Sequence, residues 1–107
     1  MKLEDKAKEI YQEMVSDLTA TAEGSEAWKE AEEIVQGSLM EWANAKAQML
    51  LGDEVDKKAA AIVIKYSSQA IEDVKDAVAA KLSTYLVDKI VSELKGILIK
   101  HLLPALV

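Results

Sequence analysis

Residues 3–18 read LEDKAKEIYQEMVSDL, and the spacing of the apolar residues in this stretch predicts the fold class. With successive residues about 100° apart around a helix, one stripe contains Leu3, Ala7, Ile10, Met14 and Leu18. The opposite side contains Asp5, Glu9, Gln12, Glu13 and Ser16. The pattern predicts an amphipathic helix over residues 2–23, which ends where Gly24 can adopt a left-handed conformation.

The second segment continues the helical pattern through a glycine. Gly37 and Ser38, with Glu41 three residues further on, could mark a helix end followed by a capping box. One apolar stripe nevertheless runs across the glycine in constant phase: Trp28, Ala31, Val35, Leu39, Trp42, Met49 and Leu50. A break would shift that phase, so we expect one helix over residues 26–51, weakened at Gly37 by about 1 kcal/mol relative to alanine.

The second half of the chain contains one clear junction and one inferred junction. Gly52 is expected to end the second helix, and Asp53 is expected to be the N-cap of the next one, with Asp56 three residues after the cap. Further on, the apolar residues before 82–85 and those after it occupy nearly opposite sides of the helical wheel. Serine and threonine within 82–85 can cap a new helix. Ser67-Ser68 is a weaker irregularity.

These junctions predict an all-α fold in which the chain forms a single domain, 1–107. The expected architecture is an antiparallel bundle of four helices at about 2–23, 26–51, 54–82 and 85–103. The alternative for the second half is an uninterrupted last helix that changes its packing partner halfway along.

Composition excludes several classes of function. The 107 residues carry a net charge of −6, and all 13 cations are lysine, so no arginine is present to build a phosphate-binding patch. The absence of cysteine excludes thiolate catalysis and cysteine zinc sites. No apolar run approaches the ~20 residues of a transmembrane helix, and the N-terminal stretch mixes charges from its second residue. We therefore expect a cytoplasmic protein that neither binds nucleic acid nor inserts into a membrane.

His101 is the only histidine and falls near the centre of the last apolar face. An imidazole inside a helical bundle can ligate a haem-like cofactor, so His101 is the candidate cofactor-binding residue. The favoured interpretation is a core histidine hydrogen-bonded to a backbone carbonyl or a hydroxyl. A zinc site lacks enough nitrogen or sulfur ligands, and a di-iron site lacks the Glu-x-x-His spacing.

No other residue pattern indicates catalysis. Serines at 67, 68, 83 and 92 lack a nucleophile turn. Lys65 is expected to be a surface lysine, and the carboxylate runs near residues 30 and 53 are expected to be solvated faces and caps. Trp28 and Trp42 share one stripe, which predicts core packing, with an apolar cavity as the less favoured alternative.

The last helix has a wider apolar face than one packing partner requires. We predict a homo-oligomer interface on it at Leu86, Ile90, Leu94, Leu98 and Leu102. The same segment, residues 85–107, also resembles in pattern an amphipathic helix that lies on a lipid surface.

The expected function is therefore that of a non-enzymatic, self-associating helical bundle. The alternatives are an apolar-ligand or haem-binding bundle that uses His101, and a lipid-surface binder. The lack of cysteine and the compact Gly-Ser and Gly-Asp junctions are also features of designed proteins, whereas Gly37 in mid-helix is less regular than design practice prefers.

Overall fold

The computed structural model describes residues 2–21 and 25–106, with side chains for residues 2–18, 29 and 32–104. Five α-helices occur within the described residues: α1 (Leu3–Thr21), α2 (Ser25–Leu51), α3 (Glu54–Lys65), α4 (Ser67–Ala79) and α5 (Thr84–Ile97). The predicted all-α class is confirmed, and the predicted number of four helices is wrong. The predicted left-handed end at Gly24 lies outside the described residues.

Helix α2 is the longest helix of the bundle. It has 27 residues and passes through Gly37 without interruption, as the constant phase of its stripe predicts. At 1.5 Å per residue it is about 40 Å long, which accounts for the 42 Å long axis of the molecule. Helices α1, α3 and α4 all pack against it.

The junction between α2 and α3 has Asp53 as its N-cap, as predicted, and Asp56 completes a capping box. Asp53 Oδ1 accepts a hydrogen bond from the Asp56 amide at 2.9 Å, and the Asp53 amide donates to Asp56 Oδ2 at 3.2 Å. Gly52 is required by close packing, because a Cβ there would lie 2.5 Å from the Gln48 carbonyl oxygen and would also collide with the Asp56 side chain.

The predicted helix over residues 54–82 is divided at Tyr66 into α3 and α4, which corrects the sequence-based interpretation. The Ser67 hydroxyl donates a 2.7 Å hydrogen bond to the Ile64 carbonyl oxygen, and Ser67 is buried. Serine that bonds back to the preceding turn competes with the regular helical ladder. The Ser67-Ser68 irregularity is therefore a helix break.

Helix α5 begins one residue earlier than predicted. Ser83 is its N-cap, and the Ser83 hydroxyl accepts from the Leu86 amide at 3.4 Å. The two helices before and after the phase change, α4 and α5, pack against each other.

The C-terminal end of α5 is not a regular α-helix. It widens into a π-helical turn (Leu98–Leu102), closed by the Leu103 amide donating to the Leu98 carbonyl, and continues as a 3-10 turn (Leu103–Leu106). Pro104 lacks an amide hydrogen and its ring clashes with the carbonyl four residues earlier, so an α-helical ladder could not continue through it. Isolated π turns within helices are frequent at functional sites.

One continuous apolar core joins the helices. Its largest fully buried side chains are Ile10, Met14, Leu18, Val35, Leu39, Trp42, Val78, Leu94 and Leu102. Trp42 is 1% exposed, in agreement with the predicted core role, whereas the Trp28 side chain lies outside the described residues.

Candidate functional site: the polar cluster around His101

The π turn places the buried His101 ring between two charged side chains from other helices. His101 is 3% exposed. Its Nε2 lies 2.9 Å from Asp17 Oδ2 on α1, and its Nδ1 lies 3.3 Å from Lys46 Nζ on α2. Lys100 Nζ lies 2.9 Å from the same Asp17 oxygen. We call Asp17, Lys46, Lys100 and His101 the His101 cluster.

The Lys46 contact fits one tautomer of the His101 ring. An ammonium group can only donate, so the 3.3 Å contact between Lys46 Nζ and Nδ1 is a hydrogen bond when Nδ1 is the unprotonated ring nitrogen. The proton of the neutral ring is then on Nε2, which donates to Asp17. Both nitrogens are engaged, and no buried side-chain nitrogen or oxygen of the described residues lacks a hydrogen-bond partner.

Asp17 is the electrostatic centre of the cluster. The hydrogen bond from His101 lowers the pKa of the Asp17 carboxyl below its usual value, and the hydrogen bond and positive charge of Lys100 act in the same direction. Partial burial opposes this shift. The Asp17 side chain is 33% exposed, so solvent screens part of these interactions.

Asp17 and Lys46 were missed by sequence reasoning, although the sequence contains a signal for both. At about 100° per residue, Asp17 falls about 20° from Ile10, inside the apolar stripe of α1. Lys46 likewise falls within about 40° of Trp42, inside the stripe of α2. A charged residue on an apolar stripe must find a partner when the stripe is buried, and here the partner is His101.

The geometry corrects the expected bonding of His101. The ring is buried as predicted, but its partners are a carboxylate and an ammonium group, and the prediction named a backbone carbonyl or a hydroxyl. For an axial ligand to haem iron, an imidazole must offer an unprotonated nitrogen. Here that nitrogen, Nδ1, accepts from Lys46, so the residues present do not fit such a cofactor without breaking this hydrogen bond.

The predicted interface residues are largely used inside the chain. Ile90 is 2% exposed and both Leu94 and Leu102 are 0% exposed, while Leu86 and Leu98 are half-buried. The apolar face of the last helix therefore packs against the rest of the bundle. A lipid surface or a second chain could reach that face only if α5 separated from α4 and α1.

The other residues considered from the sequence occupy structural positions. Ser67 donates to the Ile64 carbonyl and Ser83 caps α5, while Ser68 and Ser92 are exposed. The exposed Lys65 ammonium lies 5.6 Å from the centroid of the Tyr66 ring. Asp53 is a helix cap, as predicted.

An open groove of about 390 Å³ lies on the solvent side of the cluster. It is lined by Glu9, Gln12, Glu13, Ser16, Asp17, Lys100 and His101. Every lining residue carries a polar or charged group, whereas hydrophobic and aromatic side chains predominate in a typical small-molecule pocket. Among the described residues, no group of three or more histidine or acidic side chains is arranged to hold a metal ion.

Comparison with protein-family models, with curated proteins and with solved structures gave no match for this chain. Within the residues described above, no helix is both long enough and apolar enough to cross a membrane.

Proposed function

We propose that this protein is a non-enzymatic helical bundle that acts as a structural, self-associating unit. The observation that carries the proposal is the complete engagement of the His101 ring, with Asp17 on one nitrogen and Lys46 on the other. A general base or a metal ligand must offer a nitrogen to substrate or metal, whereas a ring bonded on both sides holds three segments of the chain together.

The position of the His101 cluster supports a structural role. It joins α1 and α2 to the π turn, where His101 lies 84 residues after Asp17 and 55 residues after Lys46. Removing one partner from such a cluster leaves a buried polar group unsatisfied, which costs about 1–3 kcal/mol. The cluster thus opposes separation of the C-terminal helix from the bundle.

Self-association is supported by the apolar side chains that the bundle does not cover. The large exposed ones are Met40, Leu50, Leu51, Val55, Ile62, Tyr66, Tyr85, Ile99 and Leu103. Apart from the hydroxyls of Tyr66 and Tyr85, these side chains have no hydrogen-bonding group, and exposed apolar surface is typical of sites for protein association. A cytoplasmic location is part of the same proposal.

The proposal is tested by molar mass as a function of concentration, together with a haem titration. We expect the mass to rise above the 11.7 kDa of one chain as concentration increases. We also expect haem to give the same Soret spectrum with the wild type and with His101→Ala. A mass that stays at one chain would contradict self-association, and a Soret shift lost only in His101→Ala would favour the haem-binding alternative.

A further inference from the structure

Helix α3 presents apolar side chains on two opposite faces, and only one of them is covered. Ala60 and Ile64 are buried on the face that packs against α2. On the other side Val55 is 75% exposed, Ile62 is 58% exposed and Tyr66, at the end of the helix, is 57% exposed. The outward apolar side chains of α3 are therefore available for contact with another molecule.

The exposed side chains form one line along the helix, which we call the outer stripe of α3: Val55, Ala59, Ile62 and Tyr66. Their spacings are four, three and four residues, which is the spacing of the seam in paired α-helices. All four residues are exposed. The stripe therefore has the spacing of a helix–helix contact and is exposed at all four positions.

We propose that the outer stripe of α3 pairs with the outer stripe of a second copy of this chain, antiparallel and about a two-fold axis. The inference rests on the proposed self-associating function and names the surface that performs it. The spacings of four, three and four residues have the same order in either direction along the helix. A two-fold axis level with the midpoint between Ala60 and Ala61 therefore superposes the stripe of one chain on the stripe of its partner. That axis puts Val55 opposite the partner's Tyr66, and Ala59 opposite the partner's Ile62.

The sizes of the facing residues fit this register. In each pair a smaller side chain faces a larger one, and the two small Ala59 side chains lie near the axis, where the helices cross most closely. Packed helices lie 8–10 Å apart, at distances set by the side chains at the contact. A two-fold contact of this kind is closed, so it produces a dimer and not a fibre.

The charges beside the stripe favour the antiparallel orientation. Glu54 and Lys65 lie on the same flank of the stripe, at opposite ends of α3, and both are exposed. An antiparallel pair brings Glu54 near the partner's Lys65, and symmetry provides this attraction twice. A parallel pair would align like charges and like helix dipoles.

The corresponding line on α5 lacks this continuity. Tyr85, Ile99 and Leu103 are exposed there, but Ser92 and Gly96 lie between them. The apolar surface of the C-terminal helix is thus interrupted on the outside and covered on the inside. The outer stripe of α3 is the more suitable surface for a second copy.

The expected dimer is weak. The stripe extends over about 18 Å, which is short for a stable interface, so we expect a dissociation constant of the order of 10–100 µM. Sedimentation equilibrium from about 5 µM to about 1 mM should show the mass rising from one chain towards two.

A charge placed on the stripe tests the surface. Ile62→Glu should weaken dimerisation at least about tenfold, because the burial of a carboxylate opposes association. Ile99→Glu is the matched control: Ile99 is 61% exposed, and this variant should dimerise like the wild type. Both positions are exposed, so circular dichroism should show both variants folded.

The possible outcomes distinguish self-association in general from pairing through the outer stripe of α3. If the wild type forms oligomers and Ile62→Glu forms them equally well, the pairing through α3 is wrong and self-association stands. If the wild type remains one chain at all concentrations, both are overturned. Wild type that stays monomeric but cosediments with phosphatidylglycerol vesicles, with cosedimentation lost in Ile62→Glu, would assign the stripe to a lipid surface and overturn the dimer.

The cysteine-free sequence allows a test of orientation. In the antiparallel register the two copies of residue 59 lie about 5 Å apart along the helix axes, and the two copies of residue 55 about 16 Å apart. Disulfides require Cα atoms within about 7 Å, so an added oxidant should link Ala59→Cys into dimers and leave Val55→Cys unlinked. Linking of both variants would indicate a parallel pair, and linking of neither would contradict the register.

Discussion

We call the region where α5 and the π turn contact the rest of the bundle the C-terminal junction. There Leu94 and Leu102 are fully buried, and the His101 ring between α1 and α2 has both nitrogens bonded. Helix α3 has the opposite character, since Val55 and Ile62 expose more than half of their side-chain surface. Both segments are rich in apolar residues. The difference lies in how many neighbours each has: the junction is enclosed by three segments, whereas α3 lies at the periphery of α2.

The C-terminal junction and the outer stripe of α3 should affect different properties of the protein, namely the stability of one chain and the association of two. Side chains enclosed by the junction contribute to the free energy of unfolding of a single chain. Side chains on the outer stripe of α3 contribute little until a second molecule covers them. Changes at the two regions should therefore appear in different measurements.

The largest expected difference is between two aliphatic truncations. Leu94→Ala removes a fully buried side chain and should lower the free energy of unfolding by about 2–5 kcal/mol. Ile62→Ala removes a side chain that is 58% exposed and should change it by less than about 0.5 kcal/mol. Urea denaturation at low micromolar concentration, where we expect the chain to be monomeric, measures both. Equal losses would show that α3 is enclosed as fully as the junction.

The glycines test how α3 is attached to the bundle. Gly52→Ala should lower the free energy of unfolding by about 1–3 kcal/mol, because its Cβ collides with the Gln48 carbonyl and the Asp56 side chain. Gly37→Ala is the matched control, since its Cβ would meet nothing within 4 Å, and it should raise stability by up to about 1 kcal/mol. Thermal and urea unfolding followed by circular dichroism give both values. A neutral Gly52→Ala would mean that the α2–α3 turn relaxes easily.

The smallest expected effect is the pH dependence at Asp17. Its pKa is lowered in the folded protein, so its contribution to stability is fully present above the unfolded value of about 3.9 and is lost as pH falls through the folded value. Asp17→Asn should be less stable than the wild type at pH 7 by about 1 kcal/mol, since the carboxylate is one-third exposed.

The difference between the two proteins should then shrink below about pH 4. Urea denaturation at several pH values measures it. A difference that stays constant between neutral pH and about pH 3 would show that the Asp17 charge does not stabilise the fold.

Much of the fold was predictable because local chemistry specifies it. The phase of the apolar stripe predicted that α2 crosses Gly37, and the structure confirms it. The Asp53 cap and the change of face near residue 83 were also predicted, since capping depends only on residues three apart. The division at Tyr66 was not predicted, because the Ser67 hydroxyl could equally have pointed away from the Ile64 carbonyl.

The His101 cluster was only partly predictable. The burial of His101 followed from its phase on the last helix, and the structure confirms it. Its bonding to Asp17, 84 residues earlier, and to Lys46, 55 residues earlier, did not follow. Their positions on apolar stripes marked both residues as unusual, but the choice of partner depends on how three segments pack.

The sequence by itself determined that the chain is helical, where four of the five described helices begin to within a residue, and which face of each helix is apolar. These properties depend on interactions between residues three or four apart, which are fixed by the order of the amino acids. Tertiary structure decided which apolar faces are covered. The inner face of α5 and the outer stripe of α3 are both rows of apolar residues at helical spacing. Only the packing of other helices encloses the face of α5 and leaves the outer stripe of α3 exposed.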